Sequence, residues 1–310
     1  MGMSMKPEKN ISFYYGVFWV LISVISGTMM YIFAKDLLNT QTQADCCYWW
    51  FGSALLFYSL YFIFSNDSIQ LATIKRYYLW IVLFVILQTA NTILFFAGLK
   101  LIDPSMSSFL QRSQVVFTVL LGMLILGERF RKEEWIPSLL IVAGLLLITF
   151  RIGKLSLYGS MLILGSTFFL SFSAIVIRKI GCHVGALSFA LVRTVTLFMF
   201  YIFYASAVPG SFSLLPAHTL MRVMLGAFLG PFLTVIASYK ALEYMEAGKV
   251  ALFGSLQPFF IMISALLIFG TMPGIRGIVG GILMVVGNIV FIRMNIKKSK
   301  VPIAANMPLK

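Results

Sequence analysis

Ten apolar runs of 18 to 24 residues follow one another along the chain, separated by short polar breaks. A helix crossing the hydrocarbon core of a bilayer needs about 20 such residues. In lipid the backbone must satisfy its own hydrogen bonds, so each run is expected to be a helix. The expected spans lie near 12–34, 46–64, 77–99, 104–126, 133–150, 157–178, 184–206, 222–243, 247–270 and 274–293. Residues are 60% hydrophobic and only 11% charged, against about 25% charged in an ordinary soluble domain, and mean hydropathy is +0.95. A soluble fold of 310 residues could not hide that much apolar surface. The expected fold class is therefore all-α integral membrane, with the lipid bilayer as its surroundings. The first run is too long for a signal-peptide core and no small-residue cleavage site follows it. Residues 1–11 are expected to be a cytoplasmic N-terminus and 294–310 a basic cytoplasmic tail.

Charge supplies orientation. Sixteen lysines and arginines fall on the side of the N-terminus, among them Lys6, Lys75, Arg129, Arg178, Lys240 and Lys298. Six fall on the other: Lys35, Lys100, Arg151, Lys154, Arg222 and Arg276. The positive-inside rule then places both termini in the cytoplasm, and the short loops point to a prokaryotic inner membrane. The net charge of +14 is thus an orientation signal; no basic soluble domain exists to carry a nucleic-acid partner. Cys46, Cys47 and Cys182 show no metal or disulfide spacing, and the histidines, His183 and His218, fall in expected loops. Neither metal nor cofactor is expected.

The chain also resembles itself. An offset of 143 residues places Gly16 on Gly159, Ser23 on Ser166, Tyr58 on Tyr201, Tyr61 on Tyr204, Leu99 on Leu242, Gln114 on Gln257, Phe117 on Phe260 and Gly144 on Gly287. The run Leu124-Ile125-Leu126-Gly127 falls on Leu267-Ile268-Phe269-Gly270. One constant offset aligns five spans without a gap, giving halves at 12–150 and 155–293. With an odd number of spans in each, the halves are expected to sit in opposite orientations. Inverted repeats recur in secondary transporters, with substrate held between them near the midplane.

The segment from Phe96 to Ser108, then Leu126-Gly127-Glu128-Arg129 and Ala143-Gly144, resembles the end of an EamA repeat. Tyr239-Lys240-Ala241-Leu242-Glu243-Tyr244, followed by Gln257-Pro258 and Gly270, does the same in the second half. EamA repeats define the drug/metabolite transporter superfamily, and the resemblance covers about 12 to 293. It implies ten helices in a basket around a central cavity, lined by the first to fourth and sixth to ninth spans, with the fifth and tenth at the side. Members typically export amino acids, other metabolites or drugs, and relatives carry sugar nucleotides or phosphorylated sugars. Two departures stand out: Trp50 occupies the position equivalent to Arg193, where many members have arginine in both halves, and Gly270 is followed by Thr271 rather than by Glu.

Arg112 and Arg193 are the sharpest candidates for function. Each lies eight or nine residues inside its expected span, which at about 1.5 Å per residue is near the midplane. A charge there costs at least about 2.5 kcal/mol and must face protein or water. Asp36, Asp103, Glu128, Glu243 and Glu246 all sit at span ends, so no carboxylate is expected to neutralise either arginine. Both are read as attracting a carboxylate or other anionic group of a small-molecule substrate; the alternative is a structural clamp on helix-end carbonyls. Ser105, Ser108 and Arg112 share one helix face, flanked by Ser107, Gln111, Gln114 and Thr118. Asn91 belongs to a polar group with Gln88 and Thr92 in the third span. Such stripes either line water or join helices. The expected substrate-binding set is Arg112, Arg193, Gln114, Gln257, Ser108, Gln111, Asn91 and Trp50. Gly230, Pro231 and Pro258 break helical bonding and are read as gating positions. Gly277 and Gly281 form a close-packing pair, serving either contacts within the chain or a homodimer through the fifth and tenth spans.

Rival classes fare worse. No phosphate-cradling G-x-x-x-x-G-K-[ST] run supports an ATP-driven pump, and no catalytic residues are assigned, because histidine and carboxylate are missing at depth. The expected function is a secondary carrier, an exporter of small metabolites such as amino acids. A multidrug or amine efflux carrier, or a sugar-phosphate or nucleotide-sugar exchanger, comes next; a channel or scaffold follows.

Overall fold

The computed structural model describes residues 7–65, 71–126, 132–149, 154–180, 184, 186–207, 215–245 and 247–296. The Gly127-Glu128-Arg129 segment, Cys182, His183, Glu246, residues 1–6 and the tail from 297 lie outside the described residues. Among the described residues all regular structure is helical. The principal helices are α1 (Pro7–Thr40), α2 (Gln43–Phe64), α3 (Tyr78–Leu101), α4 (Pro104–Ile125), α5 (Trp135–Thr149), α6 (Lys154–Ile180), α7 (Ala186–Ala207), α8 (Ala217–Tyr244), α9 (Lys249–Phe269) and α10 (Ile275–Ile296). Nine of these, among the described residues, are long and apolar enough to cross a membrane. The tenth, α5, has 15 residues, about 22 Å of helix against a hydrocarbon core of about 30 Å.

The boundaries depart from expectation where charge meets a helix end. α1 starts at Pro7, inside the expected N-terminal segment, and runs on to Thr40, so Lys35 and Asp36 are helical. His218, expected in a loop, lies inside α8, and Arg222, expected at the first residue of its span, lies more than a turn within the helix. Each charge has a partner that makes this tolerable. Lys35 Nζ donates to the carbonyls of Leu99 and Lys100 at 2.9 Å and of Ile102 at 3.0 Å, oxygens that the end of α3 leaves without helical donors. Arg222 Nη1 pairs with Asp36 Oδ2 at 2.9 Å. A short helix, Leu71–Arg76, precedes α3 and was not expected.

The helices pack in pairs that follow the 143-residue offset: α3 lies along α6, and α8 along α1; α5 lies along α10. The glycines of the last pair allow backbone approach. A Cβ on Gly280 would stand 2.7 Å from the Gly144 carbonyl, and one on Gly287 2.8 Å from the Pro137 carbonyl. Gly281 likewise seats the Phe109 ring. Of the expected close-packing pair, Gly281 is used within the chain, whereas a Cβ on Gly277 would meet only Pro273. The largest apolar core gathers Leu37, Trp50, Phe51, Phe96, Leu99, Phe109 and Tyr201 from both halves, with Cys46 and Cys47 as buried small fillers. Outward-facing Phe64, Leu124 and Leu267 are about four-fifths exposed, which suits a surface whose solvent is lipid.

Candidate functional site

α4 and α9 are both interrupted, at positions that the offset superposes. In α4 the helix tightens to a 3-10 turn at Gln111–Ser113; in α9 the α-helix stops at Gly254 and resumes at Gln257. For α9 the cause is chemical. The Gly254 carbonyl would accept from the N–H of residue 258, which is Pro258 and has none. Arg112 supplies the missing donor across the interface, its Nη1 3.5 Å from the Gly254 oxygen. That is the outer limit of a hydrogen bond. A Cβ on Gly254 would meet nothing within 4 Å, so open space adjoins this residue on its Cβ side. The Tyr31 hydroxyl of α1 lies within electrostatic reach of the guanidinium and donates to Gln111 Oε1. Asn288 of α10 fixes the backbone behind it, donating to the Arg112 carbonyl at 3.2 Å.

Arg193 occupies a second place, on α7, facing Tyr58 of α2 and Tyr239 of α8, whose hydroxyls lie within its electrostatic reach. Among the described residues it makes no hydrogen bond and no ion pair, and its Nε is buried without a partner, as is the Nε of Arg112. A guanidinium has five N–H donors, and burying them unmet is costly. Lys35 and Arg222, near helix ends, are satisfied; at each of the two deep arginines the buried Nε is not. Both lie deep in the protein yet are only partly covered. No described group of three or more His, Cys, Asp or Glu could hold a metal ion.

Other expected residues have different neighbours. Asn91 is buried between α3 and α6, accepting from Ser166 at 2.9 Å and donating to Gln88 at 3.3 Å. Ser108 is buried and spends its hydroxyl on the Ser105 carbonyl at 2.8 Å. Trp50, 2% exposed, packs its ring on Phe96 and into the notch left by Gly226. Gln257 lies against Gly27 of α1, where a Cβ would stand 2.5 Å from its Nε2. Gln114 begins the second α-helical half of α4, its carbonyl accepting from Ser171 of α6 at 3.2 Å. Gly230 and Pro231 fall in a π-helical stretch of α8, Phe228–Thr234. Gly230 admits Met30 of α1, and the Pro231 carbonyl accepts from Tyr58 at 2.6 Å. The tyrosines beside the arginines were missed; a mid-span tyrosine, apolar in body and polar at its tip, was the available signal. A separate pocket of about 270 Å³, lined by Met106, Leu147, Ile148 and Gly274–Gly277, lies between α5 and α10, away from both arginines.

Comparison with known proteins adds three findings. The model of the EamA-like transporter family matches residues 14–150 and again 157–293. Protein RarD of Salmonella typhimurium (strain LT2) is 26% identical over 210 residues, 66% of this chain and 68% of that protein, and protein RarD of Salmonella typhi aligns to the same extent. A protein of known crystal structure shares the fold with a TM-score of 0.64 at 13% identity, covering 92% of this chain and 98% of that one.

Proposed function

Because the chain belongs to the EamA-like transporter family, a family of multi-pass membrane transporters, we propose that it is a secondary carrier exporting small carboxylate-bearing metabolites, amino acids and their relatives, by alternating access. Ten spans form two inverted five-helix repeats around a central cavity, with α5 and α10 at the side. The protein lies in the cell inner membrane with both termini in the cytoplasm. It performs no catalysis and needs no cofactor.

The observation that carries this reading is Arg193: a mid-span guanidinium without a hydrogen bond, ion pair or neighbouring carboxylate among the described residues. An intramembrane ionisable group without a structural partner marks a substrate path. Arg112, held only by a long contact to a carbonyl, supports it, with Gln111, Gln114 and Gln257 as neighbouring amides. An amine-efflux carrier would set two uncompensated cations against a cationic cargo. The experiment is a thermal-shift screen of the detergent-purified protein against amino acids, amines, nucleotides and sugar phosphates, since a ligand of the folded state raises stability by mass action. Carboxylates are expected to stabilise, and to lose about tenfold or more in affinity in Arg112→Ala and in Arg193→Ala. Stabilisation by amines alone, or folded arginine variants that bind carboxylates normally, would overturn it.

A further inference from the structure

The two arginines differ in depth as well as in partners. Arg112 lies eight residues past Pro104 in α4, about 12 Å from that end, and Arg193 seven residues past Ala186 in α7, about 10 Å from its end. On the ten-span reading α4 and α7 enter from opposite faces, which leaves roughly 10 Å of depth between the two positions. They are two stations, each with its own tyrosines: Tyr31 beside Arg112, Tyr58 and Tyr239 beside Arg193.

Charge decides what can occupy both. The described carboxylates stand at helix ends: Glu8 is in the first turn of α1, Asp36 pairs with Arg222, Asp45 is in the first turn of α2, Asp103 is at the N-cap position of α4, Glu133 and Glu134 lie in the short 3-10 turn before α5, and Glu243 pairs with Lys240 in the last turn of α8. None is placed to meet either arginine or to receive an ammonium group between them. A zwitterion bound there would leave the two positive charges uncompensated in a low-dielectric interior, because its own ammonium cancels its carboxylate. A dianion cancels both. Ion pairs at depth are favourable only when desolvated charges balance and donors are met. The weak Arg112 contact to Gly254 is a placeholder that a carboxylate can displace, since the carbonyl offers a dipole where the ligand offers a full charge.

Resting on the carrier reading above, we propose that the transported species is a small dicarboxylate with net negative charge, one carboxylate on Arg112 and the other on Arg193, rather than a neutral amino acid. The test uses the full chain, purified for thermal shift and reconstituted into proteoliposomes for uptake, with succinate, glutarate, butyrate and alanine as probes. Succinate or glutarate is expected to stabilise the protein saturably and to be taken up, with butyrate and alanine weaker by about tenfold or more. Arg112→Gln and Arg193→Gln should each bring dicarboxylate binding down to the butyrate level. Arg112→Lys and Arg193→Lys, which keep the charge, should retain the dicarboxylate preference at lower affinity, and they serve should a glutamine variant fail to fold. If alanine binds as well as succinate and depends on both arginines, the dicarboxylate assignment falls while the carboxylate carrier stands. If no carboxylate binds, or if binding ignores both arginines, both readings fall.

Discussion

Two helix pairs related by the 143-residue offset use different chemistry at equivalent positions. α6 meets α3 through a chain of side chains: Ser166 donates to Asn91 at 2.9 Å, Asn91 to Gln88 at 3.3 Å, and Gln88 to Ser173 at 3.0 Å. α1 meets α8 where the offset predicts, but through hydroxyls. Ser23, the counterpart of Ser166, shares a hydrogen bond with Ser238 at 2.7 Å and donates to the carbonyl of Thr234, the counterpart of Asn91, at 3.2 Å. The counterpart of Gln88 is Pro231, inside the π-helical stretch, while α3 is regular throughout. The place of contact is kept and its chemistry changed, and a difference in stiffness is the expected consequence. Amides on an unbroken helix tie α3 to α6 side chain to side chain. On α8 the proline removes a rung of the ladder, and Thr234 turns its hydroxyl back to the Leu229 carbonyl five residues earlier, at 2.7 Å. π-bulges of this kind gather at functional sites.

The comparison breaks hardest at Pro231. Pro231→Ala restores a backbone donor and lets α8 rewind as a regular helix. Transport in proteoliposomes is expected to fall about tenfold or more, equivalent to about 1.4 kcal/mol of barrier, with thermal stability unchanged or raised. Gln88→Ala should do the reverse: lower stability, transport near that of the unsubstituted protein. Equal transport by Pro231→Ala and the unsubstituted chain would show that the π winding has no part in the cycle.

A second test isolates the amide chain. Asn91→Ala leaves the Gln88 amide and the Ser166 hydroxyl without this partner in a buried interface. The expected loss is about 1–2 kcal/mol, measured by thermal or denaturant unfolding. Thr234→Val should lose less, because Ser26, which shares a hydrogen bond with the Thr234 hydroxyl at 3.0 Å, retains the Ile22 carbonyl at 2.6 Å. If Thr234→Val is as damaging as Asn91→Ala, the two seams are equally stiff.

Hydropathy and the offset were enough to place the helices, since both are properties of residue order. The charged ends were misjudged because Lys35 and Arg222 depend on partners 64 and 186 residues away in sequence. The depth of Arg112 and Arg193 was legible; their surroundings were not. Pro258 announces a break in α9, but nothing in Gln111-Arg112-Ser113 announces one in α4, which has neither glycine nor proline there. Asn91 looked like a cavity residue because a polar stripe reads the same whether it faces water or another helix. The π winding of α8 was visible only as a proline.

The smallest expected effect sharpens the comparison most cleanly, because the two substitutions are chemically identical. Ser23→Ala removes one hydroxyl from the α1–α8 seam, where Ser238 still donates to the Thr234 carbonyl at 2.8 Å and Thr234 still reaches Leu229. Every remaining polar group keeps a partner, so the loss should stay below about 0.6 kcal/mol, the mean for intramembrane hydrogen bonds. Ser166→Ala removes the same hydroxyl from the α3–α6 seam, where the Asn91 oxygen loses its donor inside a buried interface. An acceptor stranded away from water costs more than the bond it made, so this variant should unfold at the lower temperature. Equal melting temperatures would mean that water or a neighbouring group replaces the Ser166 donor, and the α3–α6 seam would then be no more rigid than its counterpart.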